Sequence, residues 1–522
     1  MLLPGQIIEK VAVERRHNIV VRIDERVQTY GEMYERACRL ANALAQRGVV
    51  AGDRLATLTD NCFETVEVIA ATALANLPRA TLYTYNSAET NAYLLDLVGA
   101  KALVVDRSHY EDLRPHLAGL QHLELVLVVD GEESSDTTCY DDFLATGSPT
   151  PVLSAADADD VHIIRFSSGT TGRPKGIYHS IQRWMESSAE YRWVTPMVDE
   201  TTQYLVPGSI AHVAGSLVWS MLSVGATFHL MSAFDADEAL DIIEERRITY
   251  TALVPVMIKD MLERQARRER DMSSLECIFY AGAPISPETL RTAIRSFGRV
   301  LYQLYAQSEL IPVTMFLPHE QLPDGDEHDI ARLRSAGRAT PNVRITIRDN
   351  EGRALPPGEI GEVAARAPGA MSGVWGDEDA AKQRTLPDGS VLTGDMGYLD
   401  DEGFLYLVDR KNDMIVSGGY NIWPTELEQA IERLPDVAAV CVVGVPHPKW
   451  GETPHAAVVL REGAGLTAAE VVAHTRSVVG PVKKVTSVEF VEELPRSAGG
   501  KLQRGRVREP FWDGHSSRIR GV

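Results

Sequence analysis

The sequence predicts a large α/β domain, in which parallel sheets with covering helices are joined by a small β-barrel, followed by a smaller α+β domain. Three observations predict it. From about residue 30, helical periodicity alternates with short β-rich runs; from about 325, closely spaced Gly and Pro cut the chain into short alternating segments; and after Asp409-Arg410-Lys411-Asn412-Asp413 a compact mixture of helices and strands begins.

In the first stretch, Tyr34-Ala37-Leu40-Ala41-Leu44 recurs at the spacing of one helix face, and Ala102-Leu103-Val104-Val105 reads as a buried strand. Strands follow at Tyr204–Val206, Ala226–Met231, Tyr250–Val254, Cys277–Ala281 and Val300–Tyr305, several of them separated by helix-length segments such as Ala236–Arg246 and Ser286–Phe297. Strand, helix and strand in repetition predict a parallel sheet. Between 325 and 409, residues such as Gly337, Pro341, Gly352, Pro356 and Pro357 punctuate alternating runs like Val343-Arg344-Ile345-Thr346-Ile347, the pattern of a small antiparallel sheet or barrel. Beyond the boundary, helices at Thr425–Leu434 and Thr467–Val478 and strands at Ala438–Val443, Ala456–Leu460 and Val488–Val491 make a unit of about 110 residues. The reading is therefore an N-terminal domain over 1–409, a connection at 410–413 and a C-terminal domain over 414–522. Gly131–Thr138 reads as an acidic surface loop.

The chain has 522 residues, with 52 Lys plus Arg against 73 Asp plus Glu, a net charge of −21, and 44% hydrophobic residues. That is ample for buried cores, and it excludes a disordered or fibrous protein. The acidic balance opposes nucleic-acid binding by counterion release, and no basic cluster reverses it locally. No apolar run reaches the roughly twenty residues of a membrane span, and Met1-Leu2-Leu3-Pro4-Gly5-Gln6 lacks the charged start and apolar core of a secretory signal. The five cysteines, Cys38, Cys62, Cys139, Cys277 and Cys441, are scattered, without metal-ligand or disulfide spacing, which suits reduced thiols in a cytoplasm.

The sharpest chemical signal is Ser167-Ser168-Gly169-Thr170-Thr171-Gly172-Arg173-Pro174-Lys175-Gly176, placed after the strand-like His162-Ile163-Ile164-Arg165-Phe166. Glycines admit an anion close to backbone amides, four hydroxyls can donate to phosphate oxygens, and Lys175 adds a positive charge. The bland reading is a flexible turn, and the spacing is not that of a Walker P-loop. The segment closely resembles the phosphate loop of the adenylate-forming superfamily, which includes acyl- and aryl-CoA ligases, peptide-synthetase adenylation domains and luciferases. The resemblance runs from Thr29-Tyr30-Gly31-Glu32 to Pro495-Arg496-Ser497-Ala498-Gly499-Gly500-Lys501-Leu502-Gln503-Arg504 and is strongest to stand-alone CoA ligases.

The resemblance implies ATP as substrate, with Ser167, Ser168, Gly169, Thr170, Thr171, Gly172 and Lys175 on its phosphates. Tyr280-Ala281-Gly282-Ala283-Pro284 is similar to the adenine loop, which places Gly282, Ala283 and Pro284 against the purine. Tyr305-Ala306-Gln307-Ser308-Glu309 is similar to the Tyr-Gly-x-Thr-Glu motif. It implies that Tyr305 stacks on adenine, Ser308 touches the α-phosphate and Glu309 supplies an oxygen to Mg²⁺. Asp395, in Thr393-Gly394-Asp395, corresponds to the carboxylate on the ribose hydroxyls, and Arg410 reaches the same sugar. Lys501 corresponds to the cation that a mobile C-terminal domain delivers to the α-phosphate, with Asn412 as the hinge where relatives commonly carry Asp or Lys. Ser417-Gly418-Gly419-Tyr420 is similar to the segment that lines the acceptor channel, here Gly418, Gly419 and Tyr420.

Val206–Gly215 resembles the segment whose histidine or aromatic gates the acyl pocket. That assigns His212 to the gate and Val213, Gly215, Ser216 and Trp219 to the wall, together with Gly282, Leu304 and Ala306. Leu304 and Ala306 replace glycines common in fatty-acyl members, so the pocket suits a compact aromatic or alicyclic acid rather than a long chain. The implied reaction converts a small carboxylic acid and ATP into an acyl-adenylate, then passes the acyl group to CoA. An amine, an amino acid or a carrier-protein thiol is the second class of acceptor, because Val482-Lys483-Lys484-Val485 lacks the aromatic and proline that CoA ligases commonly show there. A nucleotide or acyl binder without catalysis is the third reading, and the presence of Lys501 and Glu309 speaks against it. Neither nucleic acid nor a membrane is an expected partner, and a homodimer is compatible with the reading.

Overall fold

The computed structural model describes residues 2–131, 137–167, 174–411, 413–417, 420–496 and 502–513. The chain divides into two compact units, the first of Met1–Ser168, Pro174–Ile345 and Ala365–Val391, the second including Thr346–Ala364 and Leu392–Val522.

The first unit contains two large sheets. The nine-stranded sheet runs, edge to edge, Arg338–Ala339, Leu310–Phe316, Leu301–Gln307, Cys277–Tyr280, Tyr250–Leu253, Gln203–Val206, Thr227–Leu230, Ile19–Ile23 and Arg26–Thr29. Pairing is parallel from Leu301–Gln307 across to Ile19–Ile23. The expected strands and helices therefore stand where their patterns place them, with Ala236–Arg246 helical over that very range and Pro287–Phe297 one residue shorter than expected. The eight-stranded sheet runs Gly373–Val374, Gly176–Ser180, Val161–Phe166, Arg79–Thr81, Leu55–Leu58, Ala102–Asp106, Leu125–Val129 and Thr138–Cys139. Burial of both faces explains its unbroken apolar strands, such as Ala102–Val105. Thr138 begins a short strand instead of ending a loop, and 132–136 lie outside the described residues.

The barrel expected between 325 and 409 is, among the described residues, an open four-stranded sheet in the order Arg344–Arg348, Gly361–Arg366, Val391–Leu399, Leu405–Arg410. Four short strands are too few to curl back and pair first with last. Most of this sheet belongs to the second compact unit, whereas the sequence pattern alone attaches it to the N-terminal domain.

The rest of the second unit packs three helices, Pro424–Ile431, Ala468–Lys483 and Arg504–Trp512, with a sheet centred on the long pair Val437–His447 and Gly451–Leu460. A buried charge cluster ties Asp409, Glu428 and Arg504 together. Asp409 accepts hydrogen bonds from the backbone N–H and hydroxyl of Thr425, both at 2.9 Å. Glu428 accepts the Val442 N–H at 2.8 Å. Arg504 is bonded to Glu428 and lies 3.6 Å from Asp409 and 3.7 Å from Asp413. Burial raises the pKa of both Asp409 and Glu428, and Arg504 opposes that shift. Directly before Arg504, Leu502 bridges to Arg496 and the Gln503 N–H donates to the Pro495 carbonyl at 2.8 Å. The residues flanking the stretch that holds Lys501 are thus held to each other by backbone pairing, directly beside Arg504. Arg504→Ala would leave two buried carboxylates unpaired. It should cost about 3–5 kcal/mol, read as a lower urea midpoint for intrinsic probes in this unit, and an unchanged midpoint would show the cluster to be solvated.

Candidate active site

Ser308 and Glu309 form the turn between two antiparallel strands, Leu301–Gln307 and Leu310–Phe316. The pairing shifts between Tyr305 and Gln307, a bulge centred on Ala306 that re-aims the side chains leading into the turn. The turn is pinned from outside its hairpin. The Ser308 carbonyl accepts from His179 Nε2 at 2.8 Å, and the Glu309 carbonyl accepts the Met371 N–H at 2.8 Å. The Glu309 carboxylate is buried and bonded to Arg384, at the end of the helix Glu378–Arg384. His179 is fully buried, and desolvation lowers its pKa to about 4, so the ring is neutral and donates through Nε2.

Ser167 and Lys175 are bonded to each other at the two sides of the segment expected to hold phosphate. The Ser167 N–H donates to the Lys175 carbonyl and the Lys175 N–H to Ser167 Oγ, each at 3.0 Å. Ser168, Gly169, Thr170, Thr171 and Gly172 lie outside the described residues. Lys175 Nζ sits 3.0 Å from Asp377, whose pKa is lowered by the Ala380 N–H and then by this lysine. Both side chains are half-exposed, so a phosphate can replace the carboxylate at small cost.

Gly282, Ala283 and Pro284 follow the strand Cys277–Tyr280, with Gly282 at φ +95° and both Gly282 and Pro284 exposed. A left-handed glycine at a strand end presents backbone without a side chain, which suits a flat ring. Tyr305 is half-buried at the hairpin. In the second unit, Asp395 and Arg410 are direct cross-strand partners, with Arg410 Nε 3.7 Å from Asp395 Oδ1. Gly394 at φ +72° and Thr393, which donates to the Val363 carbonyl at 2.8 Å, set the bend that carries Asp395. Tyr420 is exposed in the strand Tyr420–Ile422. Asn412, Gly418, Gly419 and Lys501 lie outside the described residues.

His212 stacks against two rings that also stack on each other, 4.5 Å from Tyr83 and 5.1 Å from Tyr85, roughly parallel to both. His212 and Gly215 line one cavity; a Cβ on Gly215 would come within 2.5 Å of the Ile210 carbonyl. Val213 is half-buried beside them. Ser216, Trp219 and Leu304 are buried in the first unit's core and Ala306 packs against it. The structure does not bring Leu304, Ala306 or Gly282 to the cavity that His212 lines. Sequence reasoning missed Arg384, Asp377, His179, Tyr83 and Tyr85. None lies in a motif, and each reaches its partner across 75 to 202 residues of chain, from the Glu309–Arg384 pair to the Lys175–Asp377 bond.

The AMP-binding enzyme pattern matches residues 8–375, and the AMP-binding enzyme C-terminal domain pattern matches 426–501. The chain is 33% identical to a medium/long-chain-fatty-acid–CoA ligase, FadD8, of Mycobacterium tuberculosis, covering 93% of this chain and 86% of that one. It is 32% identical to a feruloyl-CoA synthase of an Amycolatopsis species, covering 95% and 96%. The solved structure of the amide bond synthetase McbA from Marinactinospora thermotolerans superposes with a TM-score of 0.86 at 28% identity, over 97% of this chain and 99% of that one. No helix among the described residues is long and apolar enough to cross a membrane.

The folded pKa of His179, about 4, lies below its ordinary value of 6.5. Its neutral form therefore contributes stability fully above pH 6.5, and that contribution is lost as the pH falls toward 4. His179→Gln keeps an N–H donor but cannot titrate. It should flatten the pH dependence of unfolding free energy in this window by up to about 1.4 kcal/mol per pH unit; an unaltered slope in urea titrations at several pH values would contradict the assignment.

Proposed function

Since the chain belongs to the AMP-binding enzyme family and is an ATP-dependent, AMP-forming ligase, we propose that it activates a compact aromatic or alicyclic acid and transfers the acyl group to CoA. A carboxylate oxygen attacks the α-phosphorus of ATP, and pyrophosphate leaves. The CoA thiolate then attacks the acyl carbon of the adenylate, and AMP departs with the electrons of the broken C–O bond.

The observation that carries this reading is the Ser308–Glu309 turn, a buried carboxylate whose backbone carbonyls are held by the His179 ring and the Met371 N–H from two other segments. Mg²⁺ takes one or two carboxylates together with substrate phosphates. Glu309 fits that donor set, and the metal would supply charge neutralisation between the phosphates. Ser167, Ser168, Gly169, Thr170, Thr171, Gly172 and Lys175 grip the phosphates, Lys175 exchanging Asp377 for them. Gly282, Ala283, Pro284 and Tyr305 receive the adenine, and Asp395 with Arg410 the ribose. Ser308 donates to the α-phosphate. Lys501 neutralises the charge that accumulates as acid and α-phosphate meet. His212 orients the acid, Val213, Gly215, Ser216, Trp219, Leu304 and Ala306 shape its surroundings, and Asn412 is the hinge. Gly418, Gly419 and Tyr420 line the approach of the acceptor.

Full-length likeness to two CoA ligases supports the thiol acceptor. Transfer to an amine is the second reading. It is supported by the likeness to an amide bond synthetase and by the missing aromatic and proline at Val482-Lys483-Lys484-Val485.

Offering CoA, ammonia and amino acids to the preformed adenylate and weighing the products should yield the acyl-CoA thioester; amide alone would select the second reading. Lys501→Ala should lower pyrophosphate release by at least about a hundredfold, while transfer from a synthetic acyl-adenylate persists. Equal loss of both steps would overturn the role of Lys501, and absence of release with every acid would revive a binder without catalysis.

A further inference from the structure

The middle of the eight-stranded sheet carries charges that its fold does not need. Arg79 and Thr81 lie on one strand, and Arg165 on the strand beside it, where Arg79 pairs in register with Ile163. Thr57, on the next strand, pairs with Thr81. Residues two apart on a strand, and residues in register on parallel neighbours, share a face. Two arginines and two threonines therefore stand side by side where a parallel sheet ordinarily carries Val, Ile and Leu.

They line the same cavity as His212, a space of about 30 Å³, room for about two waters or one carboxylate. Among the described residues no carboxylate pairs with either arginine. Arg79 Nε and Thr81 Oγ1 are buried without a hydrogen-bond partner. Arg165 lies over the ring of Trp184 at 5.7 Å. Burial and then the neighbouring Arg165 push the Arg79 pKa down to about 10, so the pair repels itself at neutral pH. Two adjacent cations in a chain of net charge −21 persist against this cost only where an anion compensates them.

We propose that the cavity holds a second carboxylate of the acid being activated, so that the substrate class is dicarboxylic, with Arg79, Arg165 and Thr81 gripping the group that does not react. This deepens the reading above, because His212 joins the cavity to the acid site assigned there. It also explains a polar end on a pocket otherwise suited to a compact acid. Arg79 and Arg165 act on specificity.

The test pairs dicarboxylates, namely unbranched dioates of increasing length and benzene-1,3- and 1,4-dicarboxylate, with monoacids of the same skeleton. Pyrophosphate release with MgATP and calorimetric binding without ATP are both measured. At least one diacid should exceed its monoacid by about tenfold or more in kcat/KM, and Arg79→Gln or Arg165→Gln should bring that ratio toward one. Arg165→Lys, which keeps the charge, should retain part of the preference. Arg79→Met should raise the unliganded melting temperature and abolish the rise caused by the diacid, whereas a purely structural arginine would lower the melting temperature when replaced. Equal use of diacids and monoacids, or ratios unchanged in the variants, would overturn the proposal. So would a monoacid with excess acetate matching the diacid, since that outcome assigns the cavity to a free anion. If no acid releases pyrophosphate, adenylation fails and calorimetry still decides: diacid binding lost in Arg79→Gln supports the site, and equal or absent binding rejects it.

Discussion

An acidic protein that works on anions must keep its functional cations from being consumed by its own carboxylates. This constraint organises the molecule. With 73 acidic against 52 basic residues, most arginines and lysines can find a partner nearby, and where each does or does not decides its role. Lys175 is paired with Asp377 at a half-exposed position, where water screens the attraction and the pair exchanges easily. Arg504 is paired within a buried cluster, where breaking the contacts would strand charge, so it is structural. Arg79 and Arg165 lack a described carboxylate altogether, a state that is costly unless the compensating charge arrives with a ligand.

The same logic explains the hairpin at Ser308 and Glu309. The carboxylate proposed to hold a metal must stay in place while its charge partners change. Here hydrogen bonds to the two backbone carbonyls supply the rigidity, from the His179 ring on one side and the Met371 N–H on the other, and the charge is met by Arg384, which is itself partly exposed. The buried neutral histidine suits this duty because it anchors a carbonyl without adding a competing positive charge beside the acid.

Much of this was visible before any coordinates. Loops with chemistry concentrated in adjacent residues, such as Ser167–Lys175 and Tyr305–Glu309, are legible because donors and glycines crowd into one short window. Helices and strands of the first unit are legible because a sheet buried on both faces demands continuous apolar runs. The four-stranded sheet misled for a related reason: alternation and Gly/Pro punctuation report that strands are short and paired, and say nothing of whether the first meets the last. Arg165 was present in the strand-like run His162–Phe166, and a charge inside an otherwise buried strand was the signal that pattern reading passed over.

Local composition thus determined the fold class and the order of elements, because each depends on residues close in the chain. Tertiary structure alone decided which cation meets which carboxylate, how His212 stacks against the Tyr83 and Tyr85 rings, and that Arg79 and Arg165 share a cavity. Those outcomes depend on strands brought into register from distant segments, and electrostatic energy is set by separation in space and exposure to water, neither of which is written in the spacing of letters along the chain.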